Sequence, residues 1–173
     1  MSISIKTCPC QMHPSFAHVN DALTYSDCCK PYHDDMKKAD TAERLMRTRY
    51  SAFVLVKAEY IVKTTLPAQQ DLLDIKAIEA WATETDWAGL EIVRHTPKLG
   101  KRHAQVEFKA YFNTPEGLQA HHELSAFVKT KNKADNDASW YFLDPTVSMS
   151  VTQKQPCICG SDEKFKRCCG AYI

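Results

Sequence analysis

Between residues 40 and about 150 the apolar positions fall first at helical spacing and then at strand spacing. Asp40 or Thr41 can cap a helix in which Leu45, Met46, Arg49, Tyr50 and Phe53 recur every three to four residues, which predicts an amphipathic face. A second short helix is predicted over Lys57 to Thr64, with Tyr60 and Ile61 turned inward, and a third from about Leu72 to Glu84, where Ile75, Ile78 and Trp81 fall at intervals of three. After Asp86 the period shortens. Leu90, Ile92, Arg94 and His95 read as one strand. Val106, Phe108, Ala110 and Phe112 alternate with Gln105, Glu107, Lys109 and Tyr111 as a second, and His122, Leu124, Ala126 and Val128 alternate with His121, Glu123, Ser125 and Phe127 as a third. Trp140 to Leu143 form the last. The segments Lys98–Arg102 and Asn132–Ala138 have the composition of hairpin turns. Helices followed by a run of antiparallel strands predict an α+β fold, a cone-shaped domain of helices against a curved antiparallel sheet enclosing a pocket.

Composition changes this picture at the two ends of the chain. The 173 residues are 44% apolar and 25% charged, as in an ordinary soluble domain, and 22 basic against 21 acidic side chains leave a net charge of +1. A broadly basic nucleic-acid protein is therefore disfavoured, and no apolar run is long enough for a membrane span. The opening residues lack the pattern of a signal peptide, so the expectation is a cytoplasmic protein. All eight cysteines fall in two terminal groups, Cys8, Cys10, Cys28, Cys29 and Cys157, Cys159, Cys168, Cys169, with none in the 127 residues between them. A disulfide scaffold would distribute them through the fold, and a chain of this size does not need staples. Two quartets predict two metal modules, over residues 1–33 and 151–173, flanking a body over 40–150.

The second quartet reads Cys157-Ile-Cys159-Gly160-Ser161-x-x-Lys164-Phe165-Lys166-x-Cys168-Cys169. In extended chain Cys157 and Cys159 point the same way. Gly160 and Ser161 permit the turn that brings back a second pair. Four thiolates complete a closed tetrahedral zinc site with no open position for water, so a structural Zn2+ is expected at each end. Lys164, Lys166 and Arg167 are expected to offset the surplus negative charge of the second site and to form a partner-binding surface.

This string resembles the SEC-C zinc motif, named for the carboxyl end of the SecA translocation motor. With a second such element at the N-terminus, the chain resembles the YchJ family of uncharacterised bacterial proteins. Segments of the body, Glu43 to Phe53, His122-Glu123-Leu124-Ser125-x-Phe127 and Trp140-Tyr141, are similar to the family's middle domain, and the resemblance implies a fold like that of nuclear transport factor 2. The chain departs from the family pattern where Gln11 follows Cys10 and 17 residues separate Cys10 from Cys28. That reads as a loop insertion, which costs little closure entropy. It contains His13 and His18, either of which could replace a cysteine as ligand, and oxidised thiols are the other alternative there.

Within the cone, Glu107, Tyr111, His122 and Glu123 are the candidate pocket residues, of two adjacent histidines only one being able to point inward. Arg44 and Arg47 share a helix face that Arg49 does not, and exposed surface or a salt bridge to the sheet is expected for all three. No phosphate loop or nucleophile elbow occurs. Three functions compete. The first is a zinc-stapled protein-interaction adaptor whose basic C-terminal loop meets a protein partner, associated by the SEC-C resemblance with translocation or the ribosome; RNA is a weaker partner, because interleaved aromatics are few. The second is a small-molecule-binding protein or enzyme using the pocket of the cone. The third is redox sensing by the vicinal cysteines. A homodimer through the sheet face remains open by analogy with other cone domains.

Overall fold

The computed structural model describes residues 7–16, 20–134 and 136–173. Its body begins with α2 (Ala42–Val54), which follows the short α1 (Lys30–His33). Thr41, and not Asp40, is the cap, its side chain accepting the Arg44 N–H at 3.0 Å. Leu45, Met46 and Tyr50 of α2 are buried as the periodicity predicts. Next comes α3 (Ala58–Lys63), where Tyr60 and Ile61 face inward. Then α4 (Pro67–Gln70) follows, a turn the sequence pattern did not signal; its Gln69 is fully buried, its amide donating to the Asp144 carbonyl and accepting from the Asp144 N–H. The last helix, α5 (Ile75–Glu84), starts three residues later than the apolar pattern suggests because the Asp74 carboxylate takes the Ala77 N–H and fixes the first turn there.

Four antiparallel strands follow in meander order: β1 (Asp86–Leu99), β2 (His103–Thr114), β3 (Gly117–Lys131) and β4 (Ala138–Leu143). On β2, Val106, Phe108 and Ala110 point to the core, while Glu107, Lys109 and Tyr111 point away. The first strand starts four residues before Leu90 and carries three register shifts, so its side chains do not keep a strict period of two. Beside β4, residues 64–66 run parallel and exchange backbone hydrogen bonds with Phe142, which covers that edge. The α+β architecture is thus a curved four-stranded antiparallel sheet with helices against it, bearing a cluster of four cysteines near each end of the chain.

The two terminal segments are built into the core. The N-terminal cysteines share one cluster with Leu45, Met46 and Tyr50 of α2 and Leu90 of β1. Those at the C-terminus share another with Leu66, Val128, Tyr141 and Leu143. This second packing explains an irregularity on β3. His122 and Leu124 are exposed on the outer face, yet Ala126 and Val128, at the same period, are buried because the C-terminal segment covers that end of the sheet. Among the described residues no helix is long and apolar enough to cross a membrane.

Candidate metal centres

Cys8 precedes a 3-10 turn over Pro9–Gln11 that carries Cys10, and Cys28 and Cys29 lead into α1. The Cys8 N–H donates to the Leu23 carbonyl, which closes the intervening loop. Sulphur separations are 3.7 Å for Cys8–Cys10, 3.6 Å for Cys10–Cys28 and for Cys10–Cys29, and 3.9 Å for Cys28–Cys29. A tetrahedron with arms of roughly 2.3 Å, the zinc–thiolate distance, has edges of about 3.8 Å. The C-terminal quartet is of the same kind, with Cys159 and Cys168 sulphurs 3.5 Å apart. In each set the four sulphurs lie within 4.8 Å of one another, all are buried, and all eight are free thiols. The donors fit two closed Zn2+ sites, and a full shell of thiolates makes them structural. His13 is not among the ligands. Its Nδ1 accepts the Ser15 N–H, and its Nε2 faces Glu91 at 3.7 Å. His18 lies outside the described residues.

The thiols of each set polarise one another. Donation from Cys10 and Cys29 holds the Cys28 thiol far below its ordinary range; Cys10 is pushed up by its bond to Cys28, and Cys29 by its bond to Cys10. Cys157 is held at about 3 by Cys159 and Cys169, and Cys169 is pushed up by Cys157. Four thiolates around one Zn2+ carry two surplus negative charges, and zinc binding displaces the remaining protons.

That charge is met by the body of the fold. Arg44 Nη1 of α2 donates to Cys28 Sγ at 3.7 Å, beside Gln11 Nε2 at 3.3 Å. Arg47 of the same helix face donates to the Cys10 carbonyl at 3.1 Å and pairs with Glu43, while Ser51 Oγ lies 3.6 Å from Cys8 Sγ. At the other end Arg102 Nη1 donates to Cys168 Sγ at 3.5 Å, and the thiolate raises the arginine in turn. His103 Nε2 stands 3.4 Å from Cys169 Sγ and Ser161 Oγ 3.3 Å from Cys168 Sγ. Two expectations are corrected here. Lys164, Lys166 and Arg167 are exposed, and among the described residues none bonds a sulphur; Arg102, in the turn that leads into β2, does. Arg44 and Arg47 are not free surface. Arg49 is buried, and its Nη1 donates to the Ile61 carbonyl at 2.8 Å and to Thr64 Oγ1 at 2.7 Å. The signal that could have found the first pair was their i, i+3 spacing on a helix next to the first module.

Helices and sheet also enclose a cavity of about 470 Å³. Of the four candidate pocket residues only Glu123 lines it. Glu107, Tyr111 and His122 lie on the outer face, where His122 meets Glu107 at 2.9 Å and Tyr111 donates to Glu91 at 2.5 Å. The inward histidine is His121, because β3 pairs Glu123 with the inward Phe108 and so turns odd-numbered residues of β3 into the cone. His121 Nε2 lies 2.8 Å from Glu123 Oε2.

A cone-shaped α+β domain carrying two structural four-thiolate zinc sites is the class that fold and ligands define. Comparison with known families places the chain more narrowly. It matches the YchJ middle NTF2-like domain over residues 41–145, the N-terminal zinc binding domain of the YchJ family over residues 1–37, and the SEC-C motif over residues 154–171. The chain belongs to the YchJ family. A UPF0225 protein of Actinobacillus succinogenes is 46% identical over 166 residues, covering 96% of this chain and 97% of the relative. One from Haemophilus influenzae is 47% identical over 172 residues, covering 99% and 96%. The crystal structure of a SEC-C motif containing protein from Psychrobacter arcticus superposes with a TM-score of 0.93 at 79% identity, over 98% of both chains. The solution structure of a SEC-C motif containing protein from Rhodopseudomonas palustris gives 0.64 at 33% identity, over 83% of this chain and 99% of that one.

Proposed function

We propose that this protein is a zinc-stapled interaction adaptor whose C-terminal module binds an acidic segment of a partner protein in the cytoplasm. The observation that carries this reading is an asymmetry within one turn of the module. Phe165 is buried against the core, whereas Lys164, Lys166 and Arg167 around it are exposed and form no ion pair among the described residues. The one acidic neighbour with a partner, Glu163, is already taken by Lys101 at 3.0 Å and Arg102 at 3.7 Å. The zinc site holds these three cations on a fixed loop, so little ordering entropy opposes binding. RNA is the poorer fit: Phe165 is buried and Tyr172 packs on the His103 ring at 4.5 Å, which leaves no free aromatic of the module for base stacking. Similarity to the SEC-C motif suggests a partner in translocation or at the ribosome. Free thiols throughout suit a reducing compartment.

The test is capture from bacterial lysate by the full zinc-loaded chain and by a Lys164→Glu/Lys166→Glu/Arg167→Glu variant, with zinc content measured for both. A protein captured by the first, lost by the second and unaffected by nuclease supports the reading. Capture that survives charge reversal overturns it, and capture abolished by nuclease replaces it with RNA binding.

A further inference from the structure

We propose that the cavity of the cone is a binding site for a small planar organic acid, its carboxylate held by Arg49 and its apolar body held by the surrounding rings. The cavity has the size of a small-molecule site, within the usual range of roughly 300–1,000 Å³. Its walls are aromatic. Phe53 and Trp81 stand 5.0 Å apart at 68°, and Trp81 and Trp87 5.4 Å apart at 71°, edges and faces presented to one interior space. Such a lining selects a flat ligand with delocalised electrons over a branched aliphatic one.

Arg49 supplies the charge. It lines the cavity and is only 4% exposed, and its guanidinium lies over the Phe142 ring at 4.4 Å. All three of its hydrogen bonds leave from Nη1, to the Ile61 carbonyl, Thr64 Oγ1 and Thr65 Oγ1, which leaves Nη2 and Nε without a bond among the described residues. None of the acceptors is a carboxylate, and no ion pair to Arg49 forms among the described residues. Asp144 and Glu123 act on it through space without contacting it; a desolvated cation that no carboxylate touches is costly, and the cost is relieved when an anion enters beside it. Burial lowers its pKa to about 10, so it still carries its charge at neutral pH. The other ionised groups do not invite a cation in the same way. Glu123 is already satisfied by Ser125 Oγ at 2.6 Å and His121 Nε2 at 2.8 Å, and the two other carboxylates of the lining accept local bonds, Asp74 from the Ala77 N–H at 3.1 Å and Asp144 from the Thr146 N–H at 2.8 Å and Oγ1 at 2.6 Å. These groups line the same space and offer partners to a hydroxyl or amide at the far end of the ligand. The site is separate from the basic face of the C-terminal module, and neither reading depends on the other.

The experiment is calorimetric titration of the zinc-loaded full chain with 2-naphthoate, its neutral isostere 2-naphthamide, and 2-naphthylmethylammonium. The expected result is binding of the acid at least about tenfold tighter than the amide, the difference a charge-assisted bond makes. Because Arg49 also ties α3 to α2, Arg49→Met is paired with Glu123→Gln, which leaves those ties untouched. Glu123→Gln is expected to bind the acid as tightly or more tightly, since a like charge is removed from the same cavity. Arg49→Met, provided it retains both zinc ions, is expected to lose the preference for the acid. Equal affinity for acid and amide, no binding of the acid, or preference for the ammonium compound would each overturn the proposal.

Discussion

The two zinc modules use the same ligand set and are held by different parts of the domain. The first is set between α2 and β1 and belongs to the cluster around Met46, Tyr50 and Leu90; the second lies on the outer face of the sheet over Ala126, Val128 and Leu143. At each a sulphur accepts a bond from an arginine of the body, Arg44 from a helix and Arg102 from the lead-in to a strand. A short cysteine motif therefore defines the metal, while the scaffold supplies the opposite charge and the wall. A module so placed is part of the fold's stability and is poorly described as a detachable tail.

The sharpest way to break the comparison is to remove one metal at a time. Cys29→Ser and Cys168→Ser are each expected to leave one zinc per chain instead of two, measured by elemental analysis. Loss of a structural zinc is comparable with the entire stability of a domain, roughly 5–15 kcal/mol. Cys29→Ser should therefore abolish cooperative thermal unfolding, because its cluster contains α2. Cys168→Ser should lower the melting temperature while retaining a transition, since the strands it covers keep their inner face packed.

Next in size are the two glycines where each module meets a close neighbour. Gly89 sits at φ +143 on β1, and a Cβ there would come within 2.8 Å of the Met12 carbonyl and 2.9 Å of the His13 Cα. Gly89→Ala should destabilise by about 1–3 kcal/mol and weaken the N-terminal zinc alone. A Cβ on Gly170 would meet the Phe165 ring at 2.7 Å, so Gly170→Ala should weaken the C-terminal zinc alone. Competition with a chromogenic chelator reads both. Equal effects at both sites in either variant would contradict the separate anchoring.

Smaller still is the removal of the opposite charge. Arg102→Met should reduce zinc affinity at the C-terminal site by about 10–100-fold, the usual range for a group that supports a ligand, and leave the other site unchanged. The smallest effect expected is a pH dependence carried beside the first module by His33. This ring is buried, its Nδ1 paired with Tyr25 Oη at 2.8 Å and its Nε2 2.8 Å from the Thr48 carbonyl. Burial lowers its pKa below the ordinary 6.5, so the unfolded chain binds more protons in the window between the two values. Stability is therefore complete above about pH 6.5 and declines as pH falls through the lowered value. Urea midpoints measured across that window should show a shallower slope in His33→Gln than in the unaltered protein, and an identical slope would remove His33 from the account.

The pattern of residues made much of this molecule legible. The Cys-x-Cys and Cys-Cys pairs announce their metal because ligand spacing is a local property of the chain. Thr41 and the alternation from Val106 to Ala110 likewise report short-range geometry, which the tertiary structure leaves intact. The extent of β1 was not legible, because its bulges break the period on which a strand is recognised. Nor was the inward face of β3. His121 and His122 are equivalent in sequence, and only the pairing of Glu123 with Phe108 decides which of them enters the cone.

The sequence by itself thus determined the chemistry carried on neighbouring residues: two four-thiolate zinc sites, helices before strands, and a basic loop around Phe165. The tertiary structure alone decided what depends on distant segments meeting. It brought Arg44 and Arg102 to the sulphurs, buried Arg49 beside an aromatic cavity, and laid the C-terminal segment over one end of the sheet. The physical reason is that a charge or an exposed strand face acquires its meaning from what packs against it. The packing partners here stand far along the chain, beyond the reach of any local period.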